Sequence, residues 1–208
     1  MSAEPRWRRR KDARPGEIVG AALGVFAARG YAAARIEEIA ERAGVSKGAV
    51  YVYFETKEAL FRAVVTEAVR PNIHRMLGLA SAWNGSFADL ARTLLPGMAM
   101  LATELPVGAV IKMVIGESRN FPEIAKVWHD EVVQPVLGVV TGLIADAQAR
   151  GEIRAGDPRI HAFSLIAPML VGAIWRETFT PVGGAEVDLA AVARQHVETV
   201  LAGMETGR

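Results

Sequence analysis

Residues 35–60, RIEEIAERAGVSKGAVYVYFETKEAL, constrain this chain more than any other stretch. Ile36, Ile39, Ala40 and Ala43 recur near one helical period and form a single apolar stripe on a short helix. Gly44 then supplies a residue free to turn left-handed, and Val45 offers an apolar anchor behind it. Ser46 stands where it can cap a second short helix, whose first turn displays Lys47, Gly48 and Ala49 while Val50 and Phe54 lie four apart on an inward face. Helix, tight turn and helix in this order form a helix-turn-helix, which can place its second helix in a DNA groove. Small residues at the tip permit close approach to a groove floor. Tyr51, Tyr53 and Lys57 follow, the last behind a break at Glu55-Thr56 where a new helix can begin, and their hydroxyl and ammonium groups suit phosphate oxygens.

These residues, with their flanks, resemble the DNA-binding domain of the TetR/AcrR family of one-component transcriptional regulators. The resemblance is carried by Phe26, Gly30, Tyr31, Ile36, Ile39, Ala40, Ala43, Gly44, Val45, Ser46, Lys47, Gly48, Tyr51, Tyr53, Phe54, Lys57, Leu60 and Phe61. It implies an all-α protein that binds a palindromic double-stranded operator as a homodimer and is released by a small molecule. It also implies that Lys47 and Gly48 approach bases, while Tyr51, Tyr53 and Lys57 lie at or near the DNA backbone. One departure is visible: the hydroxyl residues usual before Ile36 are replaced by Ala34 and Arg35. Arg35 can meet a phosphate with its charge but supplies no oxygen acceptor for the start of the helix, so an uncapped, less rigid helix start is expected. The expected DNA-binding set is therefore Arg35, Ser46, Lys47, Gly48, Ala49, Tyr51, Tyr53 and Lys57.

Charge is placed unevenly. The whole chain of 208 residues has a formal net charge of +1, yet residues 1–15 hold Arg6, Arg8, Arg9, Arg10, Lys11 and Arg14 against Glu4 and Asp12, a local net of +4. Such a basic, flexible arm can follow phosphates or enter a narrow minor groove; a solubilising tail has the same composition. A chain 51% hydrophobic is not a disordered one. There is no cysteine, which excludes disulfides, thiolate metal sites and thiol catalysis. His74, His129, His161 and His196 are far apart, and no metal-binding or nucleophile-elbow motif occurs, so no enzyme activity, cofactor or metal is expected. No apolar run of about 20 residues stands out and the charged start lacks a signal segment. A cytoplasmic protein without a membrane partner is the expectation.

Helical periodicity continues to the end of the chain. Glu17 to Arg29 reads as an amphipathic helix ended by Gly30, and a further helix from Lys57 continues past Pro71 toward Ala82 as a lever between head and body. Beyond it the expected segments are 86–102, 106–118, 122–150 with a kink near Pro135, 157–178 and 186–205. The expected organisation is a basic arm over 1–15, a three-helix helix-turn-helix domain over 16–62, and a helical ligand-binding and dimerisation domain over 63–208. The stretch from Ile115 to Ile124, IGESRNFPEI, also resembles the body of many family members.

The last two helices are the expected dimer surface, since the segment from Ala162 to Trp175 leaves little polar surface and Gly172-Ala173 permits close crossing; a core helix within one subunit has the same pattern. Trp83, Met98, Met113, Phe121, Trp128, His129, Met169 and Trp175 are the candidate walls of an effector cavity, adaptable thioethers and rings with one directional imidazole. Core packing can explain them equally. The function these patterns support is a repressor released by an apolar or amphipathic effector; a helix-turn-helix protein without small-molecule regulation is the alternative.

Overall fold

A computed structural model of the chain describes residues 6–104 and 106–206, with side chains before Pro15 and at Glu104 outside that description. It is helical throughout apart from one isolated antiparallel bridge, Ile153 to Glu205. The head is built from α1 (Arg6–Ala33), α2 (Ile36–Arg42) and α3 (Lys47–Tyr53). α4 (Lys57–Ala63) continues through a π-helical segment (Val64–Val69) into α5 (Arg70–Ser81), the helix expected from Lys57 past Pro71 toward Ala82. The body adds α6 (Phe87–Glu104), α7 (Val107–Glu117), α8 (Pro122–Trp128), a second π-helical segment (His129–Val133), α9 (Gln134–Ala149), α10 (Pro158–Thr178) and α11 (Leu189–Met204). The backbone of the basic stretch is already helical from Arg6, so the arm expected over 1–15 is continuous with α1 there; residues 1–5 lie outside the described residues.

Both π-helical segments stand just ahead of a proline, Pro71 and Pro135. A proline collides with the carbonyl four residues back and removes one bond, and widening the preceding turn accommodates both effects. The kink expected near Pro135 therefore takes the form of a widened turn. The two segments are tied across the molecule by Glu131, which accepts from Arg70 at 2.7 Å and lies 3.7 Å from Arg62. Pro96 sits inside α6.

Two apolar cores divide the chain. The first joins head and body: Ile18, Ala22, Phe26, Ile39, Val50, Leu60 and Phe61 are continuous with Val110, Val114, Ile124 and Val127. The second is formed by α6, α9, α10 and α11 around Leu95, Ile144, Leu165, Val197 and Leu201. Gly172 is used inside the subunit: a methyl group there would collide with Leu189 Cδ2, so the close crossing joins α10 to α11 of the same chain, with Ala173 buried alongside. The polar stretch 151–156 is clamped, with Arg154 N donating to Met204 O at 2.8 Å and Gln148 Nε2 to Arg154 O at 3.0 Å. By length and composition alone, Pro122–Ala149 and Pro158–Val182 are long and apolar enough to cross a membrane, although polar residues interrupt the apolar run in each. Here that apolarity goes to the cores, to a cavity and to an exposed face of α10.

Candidate nucleic-acid interface and effector cavity

The turn between α2 and α3 forms as the sequence requires. Gly44 has φ +66°, its N–H reaches Glu41 O at 3.1 Å, and Val45 N reaches Ala40 O at 2.9 Å, so the last carbonyls of α2 are satisfied by a left-handed glycine stop. Ser46 caps α3, its hydroxyl accepting the Ala49 N–H at 3.2 Å. Thr56 does the same for α4, accepting from Ala59 N at 3.0 Å. Arg35 precedes α2 without any side-chain capping bond, in keeping with the missing hydroxyl.

With Val50 buried, α3 turns Lys47, Gly48, Tyr51 and Val52 outward. Ala49 is half-buried beside them. Val52, 80% exposed, shares this outward face and lies outside the expected set. Its signal was present: it stands two positions from the inward Val50 and therefore on the opposite side of a helix. Tyr51 is exposed, with Lys47 Nζ 5.9 Å from its ring. Lys47 Nζ donates to Glu37 Oε1 at 2.5 Å; this bond raises the lysine and lowers the fully exposed carboxyl. Arg35 and Ser46 are exposed, whereas Tyr53 is half-buried with its ring centroid 6.5 Å from that of Phe54.

Lys57 is engaged within the head. Its ammonium donates to the carbonyls of Tyr31 at 2.6 Å, Ala32 at 3.2 Å and Ala34 at 3.1 Å, and stands 4.7 Å from the Tyr31 ring centroid. Burial lowers its pKa, with Glu117 opposing. An ammonium has three protons to donate, and three backbone carbonyls accept from it here, so Lys57 ties α4 to the end of α1.

Above the head, α5, α6, α9 and α10 enclose a cavity of about 280 Å³, just under the roughly 300 Å³ at which small-molecule sites usually begin. Met98, Trp128 and Met169 line it together with Met76, Leu101 and Val136. Among the described residues the lining side chains are hydrocarbon, thioether or indole, with no charged, hydroxyl or amide group. The other five residues expected there lie away from it. Trp83 sits beyond α5 with its indole donating to Ser86 O at 3.1 Å. Met113 is buried in the core shared by head and body. Phe121 packs edge-on against Tyr31, centroids 5.1 Å apart. His129 turns outward to Asp130 at 2.8 Å. Trp175 packs on Phe179 at 4.8 Å and donates to Ala185 O at 3.0 Å. Methionine and tryptophan suit a cavity wall and a core equally, and periodicity alone does not separate the two. Phe163 and Leu170 line the cavity yet stay 55% and 39% exposed, so it opens along that side of α10.

Two family models match this chain: "Bacterial regulatory proteins, tetR family" over residues 18–64 and "Tetracyclin repressor-like, C-terminal domain" over residues 84–200. The chain is similar to the fatty acid metabolism regulator protein of Bacillus subtilis (strain 168), 27% identical over 191 residues that cover 90% of this chain and 94% of that protein. Among solved structures, a TetR-family regulator from Mesorhizobium loti MAFF303099 is similar with a TM-score of 0.74 at 25% identity, covering 98% of this chain and 100% of that one. The regulator FadR from Bacillus subtilis, solved in complex with stearoyl-CoA, has a TM-score of 0.75 at 21% identity over 90% of this chain and 98% of its own.

Proposed function

The chain belongs to the TetR family of bacterial transcriptional regulators, and on that premise we propose that it is a cytoplasmic repressor whose homodimer leaves its operator when a long acyl chain fills the cavity. The observation that carries the effector class is the wall. A charged group drawn into a lining that offers no counter-charge, and among its side chains only the Trp128 indole N–H as a donor, would lose most of its hydration uncompensated, so the bound part is hydrocarbon and the headgroup stays at the opening. Half-buried Met76 and Met98 adjust to a chain of variable length. The FadR complex with stearoyl-CoA, on the same fold, supports this class.

The reading head covers residues 16–62 and the sensing and dimerising body 63–208. Lys47, Gly48 and Tyr51 face the groove, with Val52 beside them offering a methyl surface for thymine. Arg35 and Ser46, both exposed, serve as backbone contacts, with Ala49 and Tyr53 half-buried beside them. In the dimer the two α3 helices stand about one DNA turn apart, roughly 34 to 36 Å. The effector acts only to the extent that it binds the spread form better than the operator-competent one.

Selection from a random duplex pool tests the reading, followed by operator titration with stearoyl-CoA and with coenzyme A alone. An inverted repeat should emerge, and the acylated compound alone should release it. Lys47→Ala should lose about 1 to 3 kcal/mol of sequence-specific binding. The proposal fails if the protein shows no preference among duplexes at physiological salt, or if stearoyl-CoA leaves operator affinity unchanged.

A further inference from the structure

The joint between α1 and α2 is held from two sides by polar groups that belong to other elements. Gly30 breaks α1 with φ +78° and ψ 172°, which leaves the next amides without helical acceptors. Glu117, the last residue of α7, takes both: Oε1 accepts the Tyr31 N–H at 2.9 Å and Oε2 the Ala32 N–H at 2.6 Å. From the other side, the ammonium of Lys57 at the start of α4 takes the carbonyls of Tyr31, Ala32 and Ala34. The few residues that lead into the helix-turn-helix are thus gripped by the body through a carboxylate and by the lever through a lysine.

The same α7 reaches the cavity. Val107 and Ile111 line it, Val110 and Val114 lie in the core shared with the head, and Glu117 ends the helix at the joint. Ten helical steps span about 15 Å, a length over which a packed helix moves as one piece.

We propose that Glu117 is the positioning residue through which the cavity acts on the reading head: displacement of α7 by an occupant pulls the Tyr31 and Ala32 amides and re-aims α2 and α3. This rests on the operator-binding, effector-responsive reading given above. The carboxylate form is required, because two adjacent N–H groups need two acceptor oxygens. Glutamine keeps the shape but turns an amide N–H₂ toward one of them.

The test uses the full-length dimer as wild type, Glu117→Gln, the cavity-filling Met98→Trp and the double variant. Backbone amide exchange at Tyr31 and Ala32 and operator affinity are the readouts, and circular dichroism establishes that each variant is folded. In Glu117→Gln the two amides should exchange at least about tenfold faster, while amides of α11 are unchanged. Met98→Trp should weaken operator binding on the order of tenfold in the wild-type background and by less than about twofold in the Glu117→Gln background. A residue that only stabilised the fold would leave the Met98→Trp effect intact in both. Stearoyl-CoA added to wild type and to Glu117→Gln runs the same cycle without altering the cavity wall. Protected amides in Glu117→Gln, or an undiminished response to Met98→Trp or stearoyl-CoA in that variant, overturns the proposal. Should neither perturbation change wild-type operator binding, the effector reading itself fails and the coupling role falls with it.

Discussion

At Gly30, the backbone takes a conformation that only glycine adopts without strain, and a methyl group there would also collide with the Glu117 carboxylate. Gly44 is left-handed too, but nothing lies within 4 Å of the place where a methyl would go. Gly30→Ala should therefore cost about 1 to 3 kcal/mol in urea unfolding and Gly44→Ala about 1 kcal/mol. Equal costs would mean that the Glu117 contact carries no weight. Tyr31, one residue on, is buried among Phe26, Phe61 and Phe121, and burial above all, then Glu123, Glu58 and Glu117, raises its phenol from 10.0 to about 12. A group raised in the folded state contributes its full share below the unfolded value near 10 and loses it as the pH climbs to about 12, a difference of about 2 to 3 kcal/mol. Lys57, lowered by burial, titrates with the opposite sign. Alkaline unfolding of Tyr31→Phe should accordingly be less steep above pH 10 than that of wild type, and its tyrosine absorbance titration should lack a late step near 12. Identical alkaline profiles would remove Tyr31 from this account. Lys47 and Lys57 show what sequence conceals at this scale. Both read as DNA lysines, but the acceptors that engage Lys57 lie 23 to 26 positions upstream, where no local spacing points to them.

Among the elements, α2 and α3 were legible because their signals are local: an apolar period, a left-handed glycine and a capping hydroxyl within a dozen residues. Removing that cap isolates one of them. Ser46→Ala leaves the Ala49 N–H without its acceptor, which should cost about 1 kcal/mol and fray the first turn of α3, where Lys47 and Gly48 stand. Operator affinity should fall by more than the loss in global stability accounts for; a variant with reduced stability and full affinity would show that this turn is ordered by DNA alone. The widened turns of the lever and of the helix ahead of α9 were legible only as prolines. A proline announces that a helix must yield, whereas the manner of yielding depends on what packs alongside, here Glu131 with Arg62 and Arg70. The cavity was least legible of all, because the lining residues Met98, Trp128 and Met169 are the same residue types as Trp83, Met113 and Trp175, which lie away from it.

Across the whole molecule, α10 divides its apolar surface between two tasks. Ala162, Leu165, Met169 and Ala173 close the second core, while Ile160, Phe163, Val171 and Trp175 stay exposed on the chain itself. On the homodimer reading proposed above, solvent-facing side chains of this size along one helix are the face that meets the second copy. Val171 is 60% exposed and belongs to neither core, so Val171→Glu should leave the fold of each chain unchanged while placing an unpaired carboxylate in the interface. The variant should sediment as a single subunit at micromolar concentration. Each head would then bind its half-site alone, without the effective concentration that the partner supplies, and operator affinity should fall by about two to four orders of magnitude. Half-site affinity should be unchanged, because α3 is far from the substitution in the chain and its contacts are those of the head. A Val171→Glu protein that remained dimeric would place the interface elsewhere than on α10, and one that was monomeric yet still bound the full operator tightly would mean that the two heads read DNA independently.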